Sequence, residues 1–180
     1  MTPYYKYLRD SVAWIRCRLL YALRHFMNQM PYGDRVMIVA PHPDDETFGA
    51  GGYICSLLAH GSKVRVVVLS SGGRSLGDSF DNAEVGRQRE NLCRRATSVL
   101  GLEEDDVVFL RQPDGYVLTD TNKVEQLRHE IDTWEPDILL IPGLAEVWPD
   151  HVNTSEIVLR IAPNNCMVYH YWVWTWYYIK

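Results

Sequence analysis

The chain has 180 residues and a formal net charge of −5. That length suits one domain with a real core, and the acidic balance excludes a general nucleic-acid binder, which needs a broad basic face. Apolar residues at 47 % and charged residues at 23 % describe an ordinary soluble globular protein rather than a disordered or fibrous chain.

Residues 1–34 stand apart from the rest. A helix is expected from about Tyr5 to Met30, with Arg16, Arg18 and Arg24 interrupting its apolar residues. No uninterrupted run of about 20 apolar residues exists there, so a transmembrane span is not expected, and the pattern of a secretory leader is missing. The expected arrangement is a helix packed on the domain or on a second subunit. Peripheral contact with an anionic membrane surface is the alternative.

Residues 35–180 form the domain proper, and strand and helix patterns alternate along it. Arg35–Ala40 reads as a buried strand, and Glu46–His60 as a helix ended by Gly61. Valine-rich Lys63–Ser70 is a second buried strand, followed by a glycine- and serine-rich loop over Ser71–Asp81. A helix is expected over Ala83–Leu100, a strand over Asp106–Leu110, a Pro113-Asp114-Gly115 turn and a helix over Asn122–Trp134. Asp137–Ile141 is the fourth strand, Gly143–Pro149 a loop, Val152–Ile161 a helix, and Met167–Trp174 an aromatic, β-branched last strand. Such alternation predicts an α/β fold: a Rossmann-like three-layer α/β/α sandwich with a mostly parallel sheet, to which the N-terminal helix is an addition. The loops after the first four strands then share one rim, where open α/β sheets bind their ligands.

The most informative residues lie on that rim. His42-Pro43-Asp44-Asp45-Glu46 ends the first strand. His42 and Asp45 are spaced to grip a divalent metal, and Asp44 is left free beside them. Acidic residues also favour helix starts, so a capping turn is the competing explanation, and Glu46 reads as structural. A catalytic zinc site uses three protein ligands and keeps one open position. Of the six histidines, His151 is the candidate third ligand. His25, His60, His129 and His170 fall on helices or inside the last strand, where a histidine is usually surface or satisfied core. Four cysteines, Cys17, Cys55, Cys93 and Cys166, are far apart and include no Cys-x-x-Cys. They read as reduced, mostly buried thiols of a cytoplasmic protein, so a metal must be held by His and Asp.

The pentad is followed in order by Arg87-Gln88-Arg89-Glu90 before Leu100-Gly101, then Pro113-Asp114-Gly115, Glu135-Pro136-Asp137 and Pro149-Asp150-His151. This ordered set, from about Arg35 to about Ile161, resembles the zinc-dependent de-N-acetylases of the PIG-L and LmbE-like family. The resemblance implies zinc, or another divalent metal such as Fe2+, held by His42, Asp45 and His151, with Asp44 as general base. It also implies substrate contacts from Arg87 and Asp114. The implied reaction removes acetyl from an N-acetylated amino sugar, as a small molecule or on a lipid-linked intermediate. The alternatives are a deacylase of a non-sugar amide, or a non-catalytic sugar- or metal-binding relative.

Two departures bear on that choice. Many relatives carry a histidine three positions before the metal-binding one; here that position is Trp148. An indole donates one hydrogen bond and cannot become cationic, and Asp150 is left to orient His151 or a water. Relatives also usually continue beyond the last recognisable strand. The aromatic run Tyr169–Tyr178 would expose much apolar surface unless covered, so a homo-oligomer is expected.

Overall fold

The computed structural model describes residues 31–77 and 82–174. The helix expected over Tyr5–Met30 and the end of the aromatic run lie outside the described residues.

Strand β1 (Arg35–Ala40) leads into helix α1 (Asp45–Ala59), β2 (Lys63–Ser70) and a short 3-10 turn at Gly73–Leu76. Then come α2 (Asn82–Leu100), β3 (Val107–Gln112), α3 (Thr121–Trp134), β4 (Ile138–Pro142), α4 (Pro149–Ile161) and β5 (Met167–Tyr171). The five strands form one sheet in the order β3-β2-β1-β4-β5, and every pairing in it is parallel.

The sequence of β1 shows why. Its residues Val36–Ala40 are all buried and side chains alternate across the sheet. Val36, Ile38 and Ala40 join the core under Ala50, Ile54 and Leu57 of α1 and Cys93 of α2. Met37 and Val39 join the opposite core, under Leu127 and Ile131 of α3 and Val158 of α4. Burial on both faces needs helices on both, which gives the three layers expected. In β4, Ile138 and Leu140 face the first core and Leu139 and Ile141 the second.

The order places β1 beside both β2 and β4. The connection from β1 runs to β2 and that from β4 runs the opposite way to β5, opening between β1 and β4 the crevice in which such sheets bind ligands. The pentad sits on that crevice.

Three boundaries differ from expectation in ways that matter to the site. Helix α4 starts at Pro149, whose fixed φ suits a first helical position; Asp150 and His151 are therefore in its first turn. Strand β3 runs on to Gln112, which is buried: its amide donates to the Lys123 carbonyl and accepts from the Leu118 N–H. Strand β5 ends at Tyr171, because the Val173 and Trp174 N–H groups turn aside to donate to Glu146. Of the aromatic run, Tyr171 is buried and bonds the Val39 carbonyl, whereas Tyr169, Trp172 and Trp174 stay partly exposed. The Tyr171 ring lies so close to Gly49 that a Cβ there would stand 2.3 Å from it.

Candidate active site

The turn after β1 is built around Asp44. Its φ of 145° lies in a region that non-glycine residues rarely adopt, at a cost of about 1–3 kcal/mol. The surroundings hold it there. The Asp44 carbonyl accepts from the Thr47 and Phe48 N–H groups at 3.0 and 2.9 Å, which starts α1, and its own N–H donates to Glu46 at 2.9 Å. Glu46 is fully buried and also accepts from the Thr47 hydroxyl and the Cys93 thiol. Burial first, and then Glu46, push that thiol well above its usual range. The Asp44 carboxylate makes no capping bond. It turns into the crevice and pairs with Arg89 at 2.8 Å.

Beside it, His42 Nδ1 and His151 Nε2 each lie 3.2 Å from the same oxygen, Asp45 Oδ2. The ligand atoms of these three residues all fall within 4.8 Å of one another. Two imidazole nitrogens and one carboxylate oxygen form a donor set that suits Zn2+ or Fe2+. The other nitrogen of His42 is held from outside: Nε2 is 3.1 Å from Asp150 Oδ2 and 3.3 Å from Asp114 Oδ1. Carboxylates in that position fix the tautomer and orientation of a metal-ligating histidine.

Electrostatics agree with the geometry. Burial opposes the charged form of His42, but Asp114, Asp150 and Asp45 outweigh it and push the imidazole up to about 11. Burial would raise Asp45, yet the two histidines hold it down at about 2. Burial also works against the ionised Asp114, and the bond to His42 overcomes it, lowering its pKa. Three carboxylates around one imidazole demand positive charge, from a proton or a cation. Asp44 moves the other way. Burial raises it to about 6, with Arg89 pulling down and Asp45 and Glu46 pushing up.

The same groups share a cavity of about 600 Å³ with Arg74, Arg89, Asp114, Trp148 and Trp174. Of the expected site residues, His42, Asp44, Asp45, Asp114, Asp150 and His151 are thus brought together. Arg87 is not. It pairs with Glu84 on the exposed face of α2, while Arg89, two positions on, enters the site and also donates to the Gly72 and Pro43 carbonyls. The inward stripe of α2 includes Gly86, Cys93 and Thr97, and Arg89 falls on that stripe where Arg87 does not, a distinction that helical periodicity could have drawn. Asp150 bonds His42 rather than His151, and accepts the Gly115 and Val117 N–H groups, tying the loop after β3 to α4. Trp148 caps α4 without a side-chain cap bond and is half exposed at the cavity. Glu146, buried in the loop before α4, gives no signal in the sequence, because it sits in a loop without periodicity.

A parallel α/β sheet whose crevice gathers two histidines, an aspartate and a further carboxylate paired with an arginine defines a candidate metalloenzyme centre. The chain belongs to the GlcNAc-PI de-N-acetylase (PIG-L) family, whose sequence profile matches residues 37–162. It is 25 % identical over 159 residues to a 1D-myo-inositol 2-acetamido-2-deoxy-alpha-D-glucopyranoside deacetylase of Corynebacterium diphtheriae, covering 73 % of this chain and 53 % of that one. It is 30 % identical over 139 residues to a probable N-acetyl-alpha-D-glucosaminyl L-malate deacetylase 2 of Bacillus anthracis, covering 72 % and 61 %. This chain therefore spans little more than half the length of these relatives. The N,N'-diacetylchitobiose deacetylase of Pyrococcus horikoshii shares the fold, with a TM-score of 0.65 at 23 % identity over 71 % of this chain and 49 % of that one.

Proposed function

We propose that this protein hydrolyses the acetamide of an N-acetylated amino sugar, releasing acetate and the free amine, with zinc or Fe2+ held by His42, Asp45 and His151. One observation carries the reading. Asp44, in a strained backbone conformation that its neighbours enforce, presents an uncapped carboxylate to the cavity in which the three donors converge.

A divalent cation at this position would polarise the amide carbonyl and lower the pKa of water towards neutrality. The rest falls to the chain's own groups. Asp44, with its pKa raised to about 6, accepts a proton from the attacking water and returns it to the departing amine. Arg89 fixes the direction of the Asp44 carboxylate. Asp150 holds His42, so that its Nδ1 stays turned to Asp45. Asp114, partly buried at the cavity and anchored by the Arg74 N–H at 2.9 Å, is placed to bond a sugar hydroxyl. The names of both curated relatives describe deacetylases of glucosamine conjugates, which supports a small-molecule conjugate as substrate; a lipid-linked one is the variant of the same chemistry. The reading includes a cytoplasmic protein working as a homo-oligomer.

A second reading, a non-catalytic sugar binder, is favoured by one feature, the half-exposed Trp148 indole at the cavity, since aromatic faces stack on apolar surfaces. Metal analysis of the purified protein, coupled with acetate release from N-acetylated amino sugars and from non-sugar acetamides, tests both. About one divalent ion per chain with acetate from an amino sugar is expected. Bound metal with no acetate from any of these compounds would move the assignment to the binding reading, and acetate only from non-sugar amides would move the substrate class.

A further inference from the structure

His151 is almost wholly buried, and its Nε2 faces Asp45. Its other nitrogen, Nδ1, is buried without a hydrogen-bond partner. With Nε2 turned to a cation, the proton of a neutral imidazole resides on Nδ1, and a buried N–H requires an acceptor. The acidic oxygen that Nδ1 faces is Glu146 Oε2, at 3.9 Å.

Among the described residues, the ion-pair partner of Glu146 is His151. Glu146 is 4 % exposed, and no Lys or Arg pairs with it among the described residues. Its carboxylate accepts the Val173 N–H at 2.7 Å and the Trp174 N–H at 3.2 Å. A neutral glutamine carbonyl could also accept those backbone bonds. A buried, uncompensated carboxylate is costly, and the feature it answers is the imidazole beside it.

We infer that Glu146 is the positioning residue of the metal ligand His151: its negative charge holds the Nδ1–H tautomer and keeps Nε2 directed at the cation. The same carboxylate joins the chain after β5, and with it Trp174 on the cavity wall, to the metal ligand. This rests on the metal reading above.

Glu146→Gln separates the charge from the anchoring. By competition with a chelator, zinc affinity of this variant should fall 10- to 100-fold, the range for losing such a partner, while the thermal midpoint of the metal-free protein stays at the wild-type value. Wild-type zinc affinity in Glu146→Gln would overturn the inference and leave the metal reading standing. A wild type that binds no zinc would overturn both. Should Glu146→Gln fail to fold, the wild type alone decides. In the zinc-loaded protein, histidine-selective 15N NMR should place the His151 proton on Nδ1 in a slowly exchanging, hydrogen-bonded resonance. A proton on Nε2, or a freely exchanging Nδ1–H, refutes it.

Discussion

Replacing Asp44 by asparagine isolates the proposed proton transfer from everything else the turn does. The substitution is nearly isosteric, and asparagine tolerates positive φ better than most residues. The backbone bonds that hold the turn, from Thr47 and Phe48 to the Asp44 carbonyl and from Asp44 to Glu46, do not involve the altered atoms. What is lost is the charge facing Arg89. With the Asp44 side chain 40 % exposed, that pair contributes at most about 1 kcal/mol. The thermal midpoint should therefore move only a few degrees, and metal content should stay at the wild-type level, because His42, Asp45 and His151 are untouched. Turnover, by contrast, should fall by about 10²–10⁴, or about 3–5 kcal/mol of transition-state stabilisation. Acetate release at saturating substrate, measured beside elemental analysis of the same preparation, gives both numbers. Asp45→Asn is the counterpart and should lose the metal itself. Turnover of metal-loaded Asp44→Asn within threefold of wild type would refute Asp44 as the base.

Arg87→Ala should leave KM and stability nearly unchanged, since its exposed pair with Glu84 contributes less than about 1 kcal/mol; Arg89→Ala should lower both turnover and unfolding free energy, the latter by about 2 kcal/mol or more through charged hydrogen bonds to the Pro43 and Gly72 carbonyls, as read by urea denaturation. Gly49→Ala should destabilise by about 1–3 kcal/mol, because the new Cβ would stand 2.3 Å from the Tyr171 ring; an unchanged urea midpoint would contradict that packing. Trp148→His should raise kcat about tenfold if a cationic donor at that position recovers about 1.4 kcal/mol. A slower variant would show that the wild type already has its donor elsewhere on the cavity wall, and no acetate from either protein would favour the binding reading.

What the sequence disclosed was what periodicity and motif order encode. Strands buried on both faces are continuous runs such as Val36–Ala40 and Val66–Leu69, so the parallel sheet was legible, as were the pentad and His151. Side-chain direction was less so. Arg87 and Arg89 look equivalent in a string and differ by about 200° around a helix, at 3.6 residues per turn. Asp150 could not be matched to His42, because that contact joins residues 108 apart. The cysteines were expected to be mostly buried; Cys93 is, but Cys55, within α1, is exposed and Cys166, just before β5, is half-buried, placements that composition does not report; Cys17 lies outside the described residues. The strain at Asp44 had no sequence sign, because it follows from Glu46 and the start of α1 acting together.

The order in which the donors enter the chain has a kinetic consequence. His42 and Asp45 hang from β1, and His151 comes from α4, which follows β4, the partner of β1 across the crevice. During synthesis the first two donors emerge long before the third, and β1 can pair with β2 while β4 is still unmade. Closing so long a loop is slow, so the proposed three-ligand capture of a cation would wait until α4 has been made and docked. Free metal at 100 times its Kd would deepen the native well by about 2.7 kcal/mol, protecting the completed fold without trapping partial ones.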